Sequence, residues 1–223
     1  MKHQPKGISI LFEDSEILVI DKSAGLLTIG TAREKEKTAH YLLNDYVKKG
    51  NKNSRNRVFV VHRLDKDTSG LLIFAKTEAA KLFLQEHWKD FSKSYYTIVQ
   101  GKLKEKEGII TSYLTENKAF RVFSVKDPEQ GKFAKTGYKM IQESEKFSLL
   151  EITLFTGRKN QIRVHLSELG FPIVGDVMYG SAAKGAKNLL LHSYSLSFIH
   201  PTTKKEMNFT AEVPAYFKTL IKF

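Results

Sequence analysis

The sequence contains no cysteine, which excludes a disulfide framework and any thiolate zinc site, including the Pro-Cys-x-x-Cys arrangement of zinc-dependent base deaminases. Long hydrophobic runs are also missing. Apolar stretches stop at four or five residues, and residues 1–10 lack the apolar core of a signal peptide. Both observations argue against a membrane anchor and for a cytoplasmic, globular protein. No Pro/Gly/Ser-rich linker interrupts the 223 residues, so the expectation is a single domain spanning 1–223. Acid is scarce as well. Asp and Glu number 24 against 36 Lys and Arg, for a net charge of +12 and a pI near 9.6.

Such a positive balance suits a partner with a phosphate backbone, although a solvated lysine surface gives the same sum. The cations are clustered. Lys48, Lys49, Lys52, Arg55 and Arg57 follow one another without an intervening acid, and Arg121, Lys126, Lys132, Lys135 and Lys139 outnumber the acids near them.

Hydrophobic periodicity gives an alternation of strands and helices. Strands are expected over 17–20, 95–99, 108–113 and 149–155. Residues 189–199 and 206–211 flank Pro201-Thr202-Thr203-Lys204 as a hairpin. Helical spacing follows Thr38 (Ala39, Leu42, Leu43, Tyr46, Val47) and Thr77 (Ala80, Phe83, Leu84, His87, Trp88), and each threonine is a candidate N-cap. Strands outnumber helices and hairpins are prominent. The expected class is α+β, a mostly antiparallel mixed sheet with flanking helices and a central active-site cleft.

Two segments depart from ordinary connections. His62-Arg63-Leu64-Asp65-Lys66-Asp67-Thr68-Ser69-Gly70 lies between the apolar runs 58–61 and 71–75. Those runs read as paired strands, and the polar loop between them is longer than a hairpin needs. Asp65 taken alone is a turn residue, since Asp, Ser and Gly favour turns. In the second segment, 156–166, a strand pattern becomes a helix pattern: Ile162, Leu166 and Leu169 form one stripe and Gly170 is a stop. A helix start with Arg158, Lys159 and Arg163 suits an anion, and it equally suits a surface helix with scattered cations.

The segment from His62 to Lys76 resembles the signature H-R-L-D-x-x-T-S-G-L-L-x-F-A-K of the RluA-type pseudouridine synthases. Residues 157–180 resemble that family's G-R-x-H-Q-[IL]-R-x-H-L-x-x-L-G-x-P-I-x-G-D-x-x-Y-G, with Asn160 where histidine is usual. Glu13-Asp14 with 17–26 is similar to the opening motif, apart from Ser23 in place of proline. Lys93-Ser94-Tyr95 with Val99 and Gly101 is similar to K-x-Y-x-x-x-V-x-G, and Leu191-His192-Ser193 with His200-Pro201 to the closing segment. The ordered resemblance covers roughly 12–217 and begins early enough that a catalytic domain without an N-terminal S4-type domain is expected.

The resemblance implies isomerisation of specific uridines to pseudouridine in structured RNA, either tRNA or large-subunit ribosomal RNA; a monomer is expected. The target nucleotide would be flipped out. No cofactor is implied, because the N-glycosidic bond is exchanged for a carbon–carbon bond without net redox change. The resemblance makes Asp65 the catalytic carboxylate, acting as nucleophile on the sugar or as base toward a sugar proton. It also makes Tyr95 the aromatic face against the uracil and Arg63 the residue filling the vacated space. Arg163 is the candidate guanidinium partner of Asp65, and Arg158 is assigned to phosphate. Ile162 packs against the pocket; His62, Lys93 and Lys135 complete the substrate-binding candidates. Two rivals remain open at this level. One is an RNA-binding protein without activity, and the other a metal-dependent nuclease using Asp65, Asp67 and Asp176.

Overall fold

The computed structural model describes residues 4–180 and 188–221, and the chain divides into two compact units, Met1–Phe91 with Ser193–Glu212 and Ser92–His192 with Val213–Phe223. The fold is α+β, and strands joined by hairpins pair antiparallel, as the hairpin signals predict.

In the first unit the strands are β1 (Ile8–Glu13), β2 (Ile17–Lys22), β3 (Phe59–Val60), β4 (Ser69–Ala75), β10 (Leu191–Ile199, counted here from Ser193) and β11 (Glu206–Thr210). They run in the order β1-β2-β4-β10, with β3 on β4 and β11 on β10. Every residue of β4 is buried, because both faces of the sheet are covered. Leu71, Ile73 and Ala75 join Ile17, Val19, Ala80 and Leu84 in one core, while on the other face Phe74 stacks with His40. Ala80 and Leu84 belong to α2 (Glu78–Glu86), and His40 to α1 (Ala39–Lys48). Each fully buried Leu, Ile or Phe contributes about 1.5–3 kcal/mol. The threonines cap as expected: Thr38 Oγ1 accepts from the Tyr41 amide and Thr77 Oγ1 from the Ala80 amide, each at 3.2 Å. Helix α2 ends earlier than its apolar stripe suggests. His87 is its C-cap, and Trp88 packs on the core from beyond it.

Gly70 is required by close approach. Its φ is +106°, and a Cβ there would lie 2.2 Å from the Ser193 carbonyl oxygen on β10. The first residues of β4 therefore have a fixed seat against that strand.

In the second unit β5 (Ser92–Gln100), β9 (Phe147–Leu154), β8 (Lys132–Glu143), β6 (Glu107–Glu116) and β7 (Val122–Val125) are neighbours in that order. Helix α3 (Gln161–Glu168) contributes Val164 to a core with Leu114, Val122, Ala134 and Tyr179. A short α4 (Ala215–Lys218) seats Phe217 near His192, with ring centroids 6.2 Å apart. Hydrophobic periodicity does not reveal β1, β7, α4 or the twelve-residue β8. In β8 the buried face is Ala134 and Thr136, small or polar, and the other carries lysines, so period-two hydrophobicity is weak.

Candidate active site

The expected pairing of the two apolar runs holds at Phe59↔Ala75 and Val60↔Phe74. The loop from Val61 to Thr68 leaves this ladder and is fixed from beneath. On the N-terminal side of Asp65, buried Thr28 clamps Leu64 at both backbone groups: its Oγ1 donates to the Leu64 carbonyl at 2.8 Å and accepts from the Leu64 amide at 3.1 Å. On the other side the Lys66 carbonyl accepts from the Gly25 amide at 2.9 Å and from Lys22 Nζ at 3.1 Å. Asp65 thus stands half-buried between two anchored peptides, and the Thr68 amide donates to its carbonyl at 3.2 Å. Arg63 is exposed. His62 has a structural seat: its Nε2 accepts from the Ile73 amide at 3.2 Å and its ring stacks on Trp88 at 4.2 Å.

Lys22 is completely buried, and its three ammonium protons match three carbonyls: Leu26 at 2.8 Å, Ser23 at 3.0 Å and Lys66 at 3.1 Å. Burial pulls its pKa down to about 8, although Asp67, Asp65 and Asp21 oppose the fall. Nothing in the sequence reading gave this lysine a role. The signal was a cation closing the apolar strand Ile17–Lys22. A lowered lysine pKa means that the unfolded chain binds more protons than the folded one between the two values. Stability from this group should therefore rise as pH climbs from about 8 toward 10.5. Thermal melts of the wild type and Lys22→Met across that window would test this. The wild type should gain stability relative to the variant, and parallel curves would assign the titration elsewhere.

In the second unit, Tyr95 on β5 is buried and faces the same side as Ile152 and Tyr138, its register partners across β9 and β8. Lys93, also buried, shares that side by alternation. Lys135 does not. It stands on the opposite face, with Nζ 4.6 Å from the Phe155 ring centre, because it is one residue out of phase with Thr136 and Tyr138.

Helix α3 is locked to the sheet by buried polar groups. Gln161 Nε2 donates to Thr136 Oγ1 at 2.8 Å and its Oε1 accepts from Thr156 Oγ1 at 2.7 Å and from the Arg158 amide at 3.0 Å. His165 sits between Thr136 and Ser112, each 2.9 Å from a ring nitrogen. Burial lowers its pKa against the pull of Glu168. Arg158 is exposed, and its Nε donates to the Phe133 carbonyl at 3.0 Å. Ile162 is buried in the first turn of the helix.

Arg163 lies in a cage. Its Nε and Nη2 make a forked pair with Asp176 at 2.7 and 2.8 Å, its Nη1 donates to Asn160 Oδ1 at 3.2 Å, and its guanidinium is 5.1 Å from the Tyr179 ring centre. Burial would raise the pKa of Asp176, but hydrogen bonds and charge from Arg163, with the Tyr179 and Met178 amides, lower it overall. Asn160 has a left-handed backbone, φ 53°, and does not cap the helix. Asparagine tolerates that conformation well. Its side chain bridges Arg163 to the Tyr179 hydroxyl, 3.1 Å away, so the departure from the usual histidine has a definite place in the cage. Among the described residues no group of three or more His, Asp or Glu side chains could hold a metal, and Asp176 is committed to Arg163.

The sequence profile described as RNA pseudouridylate synthase matches residues 16–168. An uncharacterized RNA pseudouridine synthase of Mycoplasma genitalium is 35% identical over 220 residues, covering 96% of this chain and 70% of that protein. Ribosomal large subunit pseudouridine synthase D of Zymomonas mobilis is 35% identical over 236 residues, covering 99% of this chain and 74% of its own length. The structure of human RNA pseudouridylate synthase domain containing 4 is similar in fold, with a TM-score of 0.78 at 23% identity, over 94% of this chain and 90% of that one.

Proposed function

We propose that Asp65, Tyr95 and Arg163 form the catalytic centre of this chain, which belongs to the RNA pseudouridylate synthase family and is an isomerase converting uridine to pseudouridine in RNA. The two units would serve this one reaction as a single catalytic domain. The observation that carries the assignment is the double anchoring of the peptides on either side of Asp65, which holds the backbone that bears this carboxylate in one place within a polar loop.

In the reaction the N1–C1′ bond breaks and a C5–C1′ bond forms. The C5 proton leaves and N1 gains one, so atoms and electrons balance without a cofactor. Asp65 begins it by attacking C1′ or by taking the sugar proton at C2′, and either role needs an ionised carboxylate. Arg163 supplies the guanidinium of this centre, with its orientation set by Asp176 and Asn160. Tyr95 gives the uracil an aromatic face and a hydroxyl for proton transfer at C5. Arg63, exposed beside Asp65, occupies the space left by the flipped nucleotide. Arg158 meets phosphate, while any RNA contact by Lys135 falls on the other face of its sheet from Tyr95.

The substrate we assign is a uridine in a compact stem-loop of large-subunit ribosomal RNA or tRNA, modified in the cytoplasm by a monomer. The name of the Zymomonas mobilis relative supports the ribosomal choice. Among the described residues no helix is long and apolar enough to cross a membrane. Carbodiimide mapping of stable RNAs from cells with and without the protein tests the assignment. One or a few pseudouridines should disappear and be restored by the purified protein on a short transcript. An unchanged map, with no activity on any of those RNAs in vitro, would favour a binding protein without catalysis.

A further inference from the structure

The turn joining β6 to β7 displays Phe120 in an unusual way. Its backbone is left-handed, with φ 60°, and the residue is 71% exposed. Single exposed apolar residues are ordinary, but a bulky side chain in the left-handed region is strained where glycine or asparagine would be relaxed. The turn is rigid. Asn117 Oδ1 accepts from the Ala119 and Arg121 amides, both at 3.0 Å, the Asn117 amide donates to the Arg121 carbonyl at 3.0 Å, and the Phe120 amide donates to the Asn117 carbonyl at 2.9 Å.

One cation lies over the ring and two more are close to it in sequence. Lys159 Nζ is 5.5 Å from its centre and is also paired with Glu116. Lys118 and Arg121 flank it in sequence, and the Arg121 guanidinium lies 5.4 Å from the Tyr179 ring centre. The turn is tied to the Arg163 cage, since the Val122 amide donates to the Tyr179 hydroxyl at 3.0 Å and that hydroxyl also accepts from Asn160.

We infer that Phe120 is a stacking platform for an unpaired base of the RNA substrate close to the target uridine, with Lys118, Arg121 and Lys159 meeting the adjoining phosphates. Any base offers a π-face to such a ring, and an aromatic interleaved with cations matches the two parts of a nucleotide at once. The inference rests on Arg163 belonging to the catalytic centre, as proposed above.

The test uses Phe120→Gly and Phe120→Trp in the full chain, with a fluorescein-labelled RNA hairpin carrying a uridine-rich loop. Glycine relieves the left-handed strain, so Phe120→Gly should melt at the same temperature as wild type or higher, while its affinity for the hairpin falls on the order of tenfold. A residue needed only for folding would move both in the same direction. Indole emission of the Phe120→Trp variant should be quenched on adding an unlabelled copy of the hairpin, after subtracting the signal of Trp88, the chain's single native tryptophan. Equal affinity for Phe120→Gly and wild type, or unquenched emission from Phe120→Trp, overturns the stacking role. If wild type binds no RNA the inference falls together with the catalytic reading. Full turnover of a cellular RNA target by Phe120→Gly, with wild-type affinity for that RNA, removes the stacking role alone.

Discussion

Asp65→Asn should reduce uridine isomerisation by on the order of 10⁴-fold or more, the scale expected when a group that acts directly on the reacting atoms is removed. RNA affinity should stay within a few-fold. The amide keeps the shape of the carboxylate and leaves the Thr28 and Lys22 clamps on the neighbouring peptides untouched, and phosphate contacts supply most of the binding. Tritium release from C5-labelled RNA, beside a binding titration, reads both quantities. Turnover near the wild-type rate would take Asp65 out of the mechanism, whereas joint loss of binding and turnover would indicate a collapsed loop.

Arg163→Lys should lower the rate on the order of a hundredfold, with a smaller loss of stability. A lysine is a point charge and cannot repeat the planar fork that holds Asp176 while turning a third nitrogen to Asn160. Asp176, whose side chain has no exposure, would keep a counter-charge but lose its paired geometry. Single-turnover rates at saturating RNA, taken well below the variant's melting temperature, separate the two effects. An unchanged rate would move the role to Arg158.

Two kinds of element are legible in the sequence: those with one face toward water and the other toward a core, and short apolar runs such as β2 and β4 that are buried on both faces. The caps at Thr38 and Thr77 and the alternation in β9 could be read because polarity tracks position. Strand β8 could not, since its buried positions include Thr136, whose burial is offset by hydrogen bonds to Gln161 and His165 rather than by apolar contact. The order of the motifs singles out Asp65, Tyr95 and Arg163 as the proposed site. It gave no hint that Lys22 and Thr28 hold the Asp65 loop, because those bonds span 44 and 36 residues and end on backbone carbonyls and amides of no particular residue type. Nor does spacing along a strand reveal which face Lys135 takes when the strand itself is unread. Asn160 is the opposite case. Its departure from the family pattern was visible, and only its left-handed backbone shows what asparagine offers there.

The clamps on Leu64 and Lys66 also set when disorder is surrendered. A free polar loop would lose conformational entropy each time RNA arrived, at about 1–2 kcal/mol per residue fixed, and that loss would weaken every encounter. Here the peptides bracketing Asp65 are ordered once, during folding, by groups at the end of β2 and in the segment following it. The amide of Leu64, bonded to a buried hydroxyl, can exchange its hydrogen with solvent only when that part of the first unit opens. Free energy released on contact with RNA is then left for distorting the substrate rather than for assembling the enzyme.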